Sequence, residues 1–333
     1  MRMFSSAACL FSLATAMTML AACNGNAAPQ SAAGGTGFTP NGDARLGAKS
    51  RRSWMAPGTK RMDLLYVSDL GAGDVEVYSY PGALLKGTLT GFTSPHGECA
   101  DRAGNVYVTD GVASRIVEYA HGGTKPIRIV SDAGYSPSGC AVDPTTGDLA
   151  VTNYAPFGSG PGNVSIYEQA KVTPKTYTNS SIYYYYYCGY DDKGNLYVDG
   201  TASAYQQVHF GFAELRAGGK ALETITLAHT FNHPGGVQWD GRYVAVGDQT
   251  TLTGPSTVYE FSIKGTSGMQ VAATPLTTSC DALQFWIEHD RIVVPNVCSP
   301  NVMYFAYPAG GTATKTIHNG LTGPVGTAIS VAS

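Results

Sequence analysis

The chain has 333 residues, 43% of them hydrophobic, 14% charged and 11% aromatic, with 41 Gly and a net charge of −3. From Asp63 onward acids outnumber Lys and Arg and the charge falls to −9. That sign repels a phosphate backbone and excludes nucleic acid as a partner.

Residues 1–22 carry Arg2 and then no charge from Ala7 to Ala22, the pattern of an export signal too short to span a bilayer comfortably. Its end, Leu20-Ala21-Ala22-Cys23, resembles the bacterial lipobox, whose cysteine becomes the lipid-modified first residue after cleavage. The resemblance implies a lipoprotein signal peptide over 1–22, lipidation of Cys23 and a membrane partner through that lipid. Asn24 stands where the inner-membrane retention signal of such lipoproteins has Asp, which points to the outer membrane, on the periplasmic side or at the cell surface. An ordinary secretory signal with a chance cysteine is the alternative.

Residues 23–62 are rich in Gly, Ala, Pro, Ser and Asn and show no hydrophobic period, so they read as a flexible stem. Arg45, Lys49, Arg51, Arg52, Lys60 and Arg61 face one acid there, Asp43. Such a stem either lies against anionic headgroups or serves as a solvated spacer.

Residues 63–333 repeat one phrase, an alternating apolar run ending on Asp or Asn: at Asp69, Asp110, Asn153, Asp199, Asp248 and Asn296, in steps of 41 to 49 residues. Such a period signals a repeat architecture. Alternation and Gly/Asn/Asp punctuation give four strands per repeat. The second repeat reads 97–101, 106–110, 115–120 and 127–130, and the third to sixth follow it. The N-terminus supplies only three strands, 64–69, 74–80 and 87–92, and the C-terminus one, 323–331. Pairing the last with the first three closes a ring without open sheet edges. The expected fold is all-β, a six-bladed β-propeller with one-plus-three closure.

The phrases Ser94-Pro95-His96-Gly97-Glu98-Cys99-Ala100-Asp101 and Ser138-Gly139-Cys140-Ala141-Val142-Asp143 resemble the NHL repeat, and more loosely the gluconolactonase and regucalcin propellers. The resemblance implies a fold rather than an activity, because such propellers serve as scaffolds, receptors, lyases and lactonases alike.

Hairpin counting places His96 opposite Asp110, Pro234 opposite Asp248 with His233 beside it, and Asp281 opposite Asn296. One channel mouth is therefore expected to gather His96, Asp110, Asn153, Asp199, His233, Asp248 and Asn296, with Tyr187 from the run Tyr183 to Tyr187 as an aromatic surface. The structural reading of the Asp/Asn set is that each oxygen bonds backbone amides two residues on. The run of tyrosines reads equally as packing between blades.

His96-Gly97-Glu98 with Asp110 fourteen positions after the His is similar to the active-site phrase of virginiamycin B lyase. That resemblance implies His96 as base and Glu98 with Asp110 as ligands of Mg²⁺, chemistry that hard oxygens and an imidazole can perform. The gluconolactonase likeness implies a metal-bound lactone site, Mg²⁺ or Ca²⁺, but lacks a Glu near Leu64. The residues alone name no cofactor. His229-x-x-x-His233 has zinc-like spacing without a third ligand.

Hairpin counting brings Cys280 and Cys298 nearly opposite, and a disulfide is expected there. Cys140 and Cys188 read as small core residues. Alternatively, Cys99 and Cys140 have opposite strand parity and can meet between neighbouring repeats. The function expected is an extracytoplasmic, lipid-anchored, monomeric module binding a small molecule, glycan or protein at the mouth, with a metal-dependent lyase or lactonase as alternative.

Overall fold

The computed structural model describes residues 52–332 apart from 155–159, 169–172, 203–208 and 250–253. The signal segment, Cys23 and the stem up to residue 51 lie outside the described residues.

Antiparallel strands account for the fold, and no α-helix occurs among the described residues. One sheet runs Trp54–Met55, Leu85–Leu89, Asp74–Ser79, Leu64–Asp69 and Pro324–Ser330 in spatial order. The C-terminal strand thus zips beside the N-terminal triplet, with Leu65 opposite Ile329 and Tyr66 opposite Ala328. Three four-stranded sheets follow, starting with Pro95–Ala100, Ser136–Val142 and Tyr184–Tyr190. A nine-stranded sheet completes the body. Its halves begin at Pro234–Trp239 and Trp286–Glu288 and are joined by one parallel pair, Leu276 with Gly311.

Period-two burial explains why these segments are strands. In Leu64–Asp69 alternate side chains enter different apolar clusters: Leu64 and Tyr66 meet Val106, Val108 and Val117, whereas Leu65 and Val67 meet Val293, Val302 and Tyr304. The inner strands of each sheet are buried on both faces and read as nearly continuous apolar runs, whereas outer strands such as Pro126–Ser131 are largely exposed. A fully buried Leu or Val contributes roughly 1.5–3 kcal/mol. The same pattern recurs between successive sheets round the molecule.

Three departures from expectation have local causes. The folded body starts before Asp63: Trp54 and Met55 pair with Thr88 and Gly87 as an extra edge strand, and Thr59–Arg61 forms a short 3-10 turn. Every first strand except Trp286–Glu288 carries a bulge near its start, which inserts one residue and advances the register. Because of the shift between Pro95 and Glu98, Pro95 rather than His96 sits opposite Asp110. Finally, the first strand of the sixth repeat, expected over 282–288 from its alternation, is confined to Trp286–Glu288, and 282–285 are not strand. The Ala282 amide donates to Ser256 Oγ and the Leu283 carbonyl accepts from the Gly236 amide of the adjoining half, leaving only Trp286–Glu288 to pair.

Candidate functional site

Four of the six recurrent Asp/Asn residues hold the backbone of the loop that enters a first strand. Asp110 accepts from the amides of Thr93 (3.1 Å) and Ser94 (2.7 Å), Asp248 from Asn232 (2.8 Å) and His233 (3.2 Å), and Asn296 from Cys280 (3.0 Å). Asp69 accepts from Thr322 (2.7 Å) and Gly323 (2.8 Å), the same place in the pattern relative to the C-terminal strand. The role is structural, as one of the two readings had it, but the amides lie in the incoming loop rather than two residues on. Asp281 is not paired with Asn296; it stands in a left-handed turn, φ 45°.

Asn153 and Asp199 depart from the rule. Asn153 Nδ2 donates to Asn163 Oδ1 (2.9 Å) and Ser165 Oγ (3.1 Å), and its Oδ1 is buried without a hydrogen-bond partner. Asp199 Oδ1 accepts the Tyr187 amide (2.9 Å) where that strand bulges, while Oδ2 is buried and unpartnered. Burial pushes the Asp199 carboxyl well above the usual range, the Tyr187 amide opposing it.

His96 is largely buried, and desolvation pushes its imidazole down to about 4, with a partial counter-effect from the Ser138 backbone. Ser138 follows on the neighbouring first strand, its Oγ buried without a hydrogen-bond partner, and Tyr154, paired with Ser136, packs edge-on against Tyr186 at 4.8 Å between ring centroids. Burial raises Tyr186 to about 12. His96, Ser138, Tyr154 and Tyr186 thus stand at the same end of successive sheets, the imidazole and the two phenols shifted toward their uncharged forms. Tyr187, expected at that mouth, is a core residue, 2% exposed between Tyr197, Phe212 and Val237. The bulge between Tyr185 and Cys188 sends Tyr185 to the preceding gap between sheets and Tyr187 to the following one.

Glu98 and Asp110 do not converge. Glu98 Oε1 accepts from Ser68 Oγ (2.9 Å) in the neighbouring sheet, whereas Asp110 faces its own loop and Arg115, whose Nη2 lies 2.9 Å away. Among the described residues no three-residue cluster suited to a cation includes them; the one such group is Cys280, Asp281 and Cys298, whose sulfurs are joined to each other. The metal ligation that the lyase resemblance implies therefore lacks its geometry. Burial also holds the Glu98 carboxyl well above the usual range, which weakens it as a ligand. The His229/His233 pair is split too: His229 packs on the Tyr259 ring and lies 3.6 Å from Asp248, while His233 donates its backbone amide to the same carboxylate.

Both alternatives for Cys140 meet a decision. It is bonded to Cys99, with Cα atoms 5.7 Å apart, so it is no mere core filler. Cys280 and Cys298 are joined as hairpin counting expects, with Cα atoms 6.0 Å apart, and Cys188 is free and buried. Two disulfides fit an oxidising, extracytoplasmic compartment.

Sequence reasoning missed two glutamines. Gln284 donates from Nε2 to the Glu98 carbonyl (2.6 Å) and accepts the Glu98 amide on Oε1 (2.9 Å). Gln238 forms the same pair of bonds with Ile287, at 3.0 and 2.7 Å. Each side-chain amide imitates a strand backbone: Gln238 ties two first strands together, and Gln284 ties the segment before Trp286–Glu288 to Pro95–Ala100. The available signal was a polar residue inside an otherwise apolar inner phrase, Gly-Val-Gln-Trp and Leu-Gln-Phe. Beyond the Gln284 clasp, the opposite end of the channel opens as a cleft of about 300 Å³.

No family model matches the chain, and no curated protein sequence does either. Solved structures do. A nidogen/laminin complex aligns at TM-score 0.65 and 13% identity, covering 81% of this chain and 99% of the other. A protein of unknown function from Bacteroides caccae aligns at 0.60 and 10% identity over 81% and 99%. Kuenenia stuttgartiensis hydrazine synthase aligns at 0.54 and 11% identity over 72% of each chain. The fold is propeller-like. At such identities the likeness extends to the fold alone.

Proposed function

We propose that the protein is a six-bladed β-propeller of the NHL kind, exported and tethered to a membrane by lipid on Cys23, that binds a ligand or partner protein at its His96 mouth. The count of six is supported by the division of the nine-stranded sheet at the single Leu276–Gly311 pair. A cyclic series of apolar clusters supports it too: its last member joins Val293 and Tyr304 back to Leu65 and Ile329.

Binding rather than catalysis rests on one observation, the separation of Glu98 from Asp110. The first gives Oε1 to Ser68 in the neighbouring sheet and leaves Oε2 buried without a partner, and the second serves two loop amides and Arg115. An imidazole near 4 is also a weak base at neutral pH, far from the match that general-base catalysis favours. What the mouth offers is neutral hydrogen-bonding groups and tyrosine rings, a surface suited to recognition. One of the similar folds is found in a nidogen/laminin complex.

Two measurements test this. Thermal melts of the mature chain with and without Mg²⁺ or Ca²⁺ should coincide; a saturable rise in the midpoint would favour the metal-dependent lyase or lactonase. A photo-crosslinking residue at Tyr186 should trap a discrete partner in cells that the same residue at Ile129, exposed on an outer strand, does not. Identical adducts from both positions would remove the mouth as the binding surface.

A further inference from the structure

The end of the channel remote from His96 carries a built cleft of its own. It lies where the first strands finish, and its lining includes Tyr190, Trp239 and Trp286, with Arg102 and Asp192 on the rim. Gln284 and Glu98, clasped to each other, are both buried members of its lining. Two of the three tryptophans in the chain are here, and both remain partly exposed. Tyr190, Trp239 and Trp286 each pack on an apolar cluster between sheets, and the edges they leave open converge on one depression, where a ring-shaped ligand can meet them.

The walls are fixed in advance. Trp286 Nε1 donates to Glu288 Oε2 at 3.2 Å, Gln238 ties the Trp239 strand to Ile287, and the Cys99–Cys140 bridge locks the second and third first strands. A rigid receptor avoids the ordering cost that weakens binding by mobile side chains.

We propose that this cleft binds a pyranose ring, as a free sugar or the terminal residue of a glycan. The C–H face of such a ring packs on an indole or phenol face, and its hydroxyls need donors and acceptors side by side. Arg102 offers donors and Asp192 acceptors. With Asp191 also in the lining, carboxylates outnumber the one guanidinium, so the cleft does not attract a free anion. Its volume sits at the small end of the roughly 300–1,000 Å³ typical of small-molecule sites, which suits one ring rather than a peptide segment. The cleft is separate from the His96 mouth, and either site can fail without the other.

Tryptophan fluorescence reads this directly. In the mature chain carrying Trp54→Phe, the emission comes from Trp239 and Trp286 alone. Titration with the methyl glycosides of glucose, galactose, mannose and N-acetylglucosamine should give a saturable change with at least one of them. Trp239→Ala should weaken that affinity about tenfold, equal to 1.4 kcal/mol. The double substitution Arg102→Ala/Asp192→Ala alters only exposed side chains, keeps the fold, and should weaken it at least severalfold. No saturable change with any of the four up to about 50 mM, where a site with Kd near 1 mM would be filled, overturns the proposal. So does binding unaffected by the double substitution, and so does saturation by tyrosinamide in place of the sugars, which would make the cleft a pocket for aromatic side chains of a protein.

Discussion

Gln284 and Glu98, 186 residues apart in sequence, hold each other by two hydrogen bonds across the channel, side-chain amide to backbone amide and carbonyl. The reach passes in front of Gly326, where a Cβ would lie 3.0 Å from Gln284 Oε1 and 2.1 Å from the His96 carbonyl oxygen. Gln284→Ala leaves the buried Glu98 N–H and C=O without partners, and each costs about 1–3 kcal/mol. Urea unfolding should show a loss of about 2–4 kcal/mol, and Gln284→Met, which keeps the volume without the bonds, should lose nearly as much. A loss in Met far below that in Ala would show that packing, and not the clasp, is what Gln284 supplies.

Asp110 holds a loop and a cation at once. Asp110→Ala strands the amides of Thr93 and Ser94 and removes the partner of Arg115. Breaking a buried pair of this kind costs about 3–5 kcal/mol, and the half-open position of Arg115 puts the expected loss at the lower end. Chemical denaturation measures it. A nearly neutral effect on stability would return Asp110 to the candidates for a binding role.

The pH dependence has two opposing limbs. Glu98 and Asp199 have folded pKa values above their unfolded ones, so the folded protein keeps protons that the unfolded chain gives up. Their contribution is complete below the unfolded values and is lost as pH rises through the folded ones. Glu98→Gln, which can still accept from Ser68, should therefore be more stable than the parent at about pH 8, the gain shrinking toward about pH 4.

His96 acts in the other direction. Its value falls from 6.5 to about 4, so the unfolded chain takes up a proton first and stability declines as pH drops through that interval. His96→Gln should flatten this limb in melts run from pH 7 downward. An unchanged slope would mean that the imidazole is hydrated in solution.

Each disulfide closes a loop whose constraint on the unfolded chain can be judged from its length. For Cys280–Cys298, separated by 18 residues, the expected contribution is about 3 kcal/mol, and for Cys99–Cys140, separated by 41, about 4 kcal/mol. Serine replacement of each pair, followed by denaturant melts, checks the order. Cys188, buried, with its thiol pushed up by desolvation, should react with a thiol reagent only on unfolding.

Period-two alternation and turn residues located almost every strand: Val106–Asp110 and Val244–Asp248 coincide with the observed elements, and the expected partnership of the last strand with Leu64–Asp69 is present. Local parity was also enough to bring Cys280 and Cys298 together. Where strand counting failed, a bulge had added a residue, so that His96 moved off Asp110 and Tyr187 turned into the core. No short-range pattern in the sequence announces that insertion, because it answers to the close approach of a neighbouring first strand: at Gly97 a Cβ would lie 2.3 Å from the Ser138 carbonyl oxygen.

The sequence by itself determined the all-β class, the repeat and the strand that closes it, because alternation, turn chemistry and apolar runs act over a few residues. Only the tertiary structure decided what the polar groups do. Whether Asp110 serves a loop or an ion, whether Glu98 meets it or Ser68, and whether Gln284 bridges the channel depend on partners contributed by remote parts of the chain. A buried carboxyl or amide takes the partner that satisfies it at least cost, and that choice exists only once the sheets have closed round their axis.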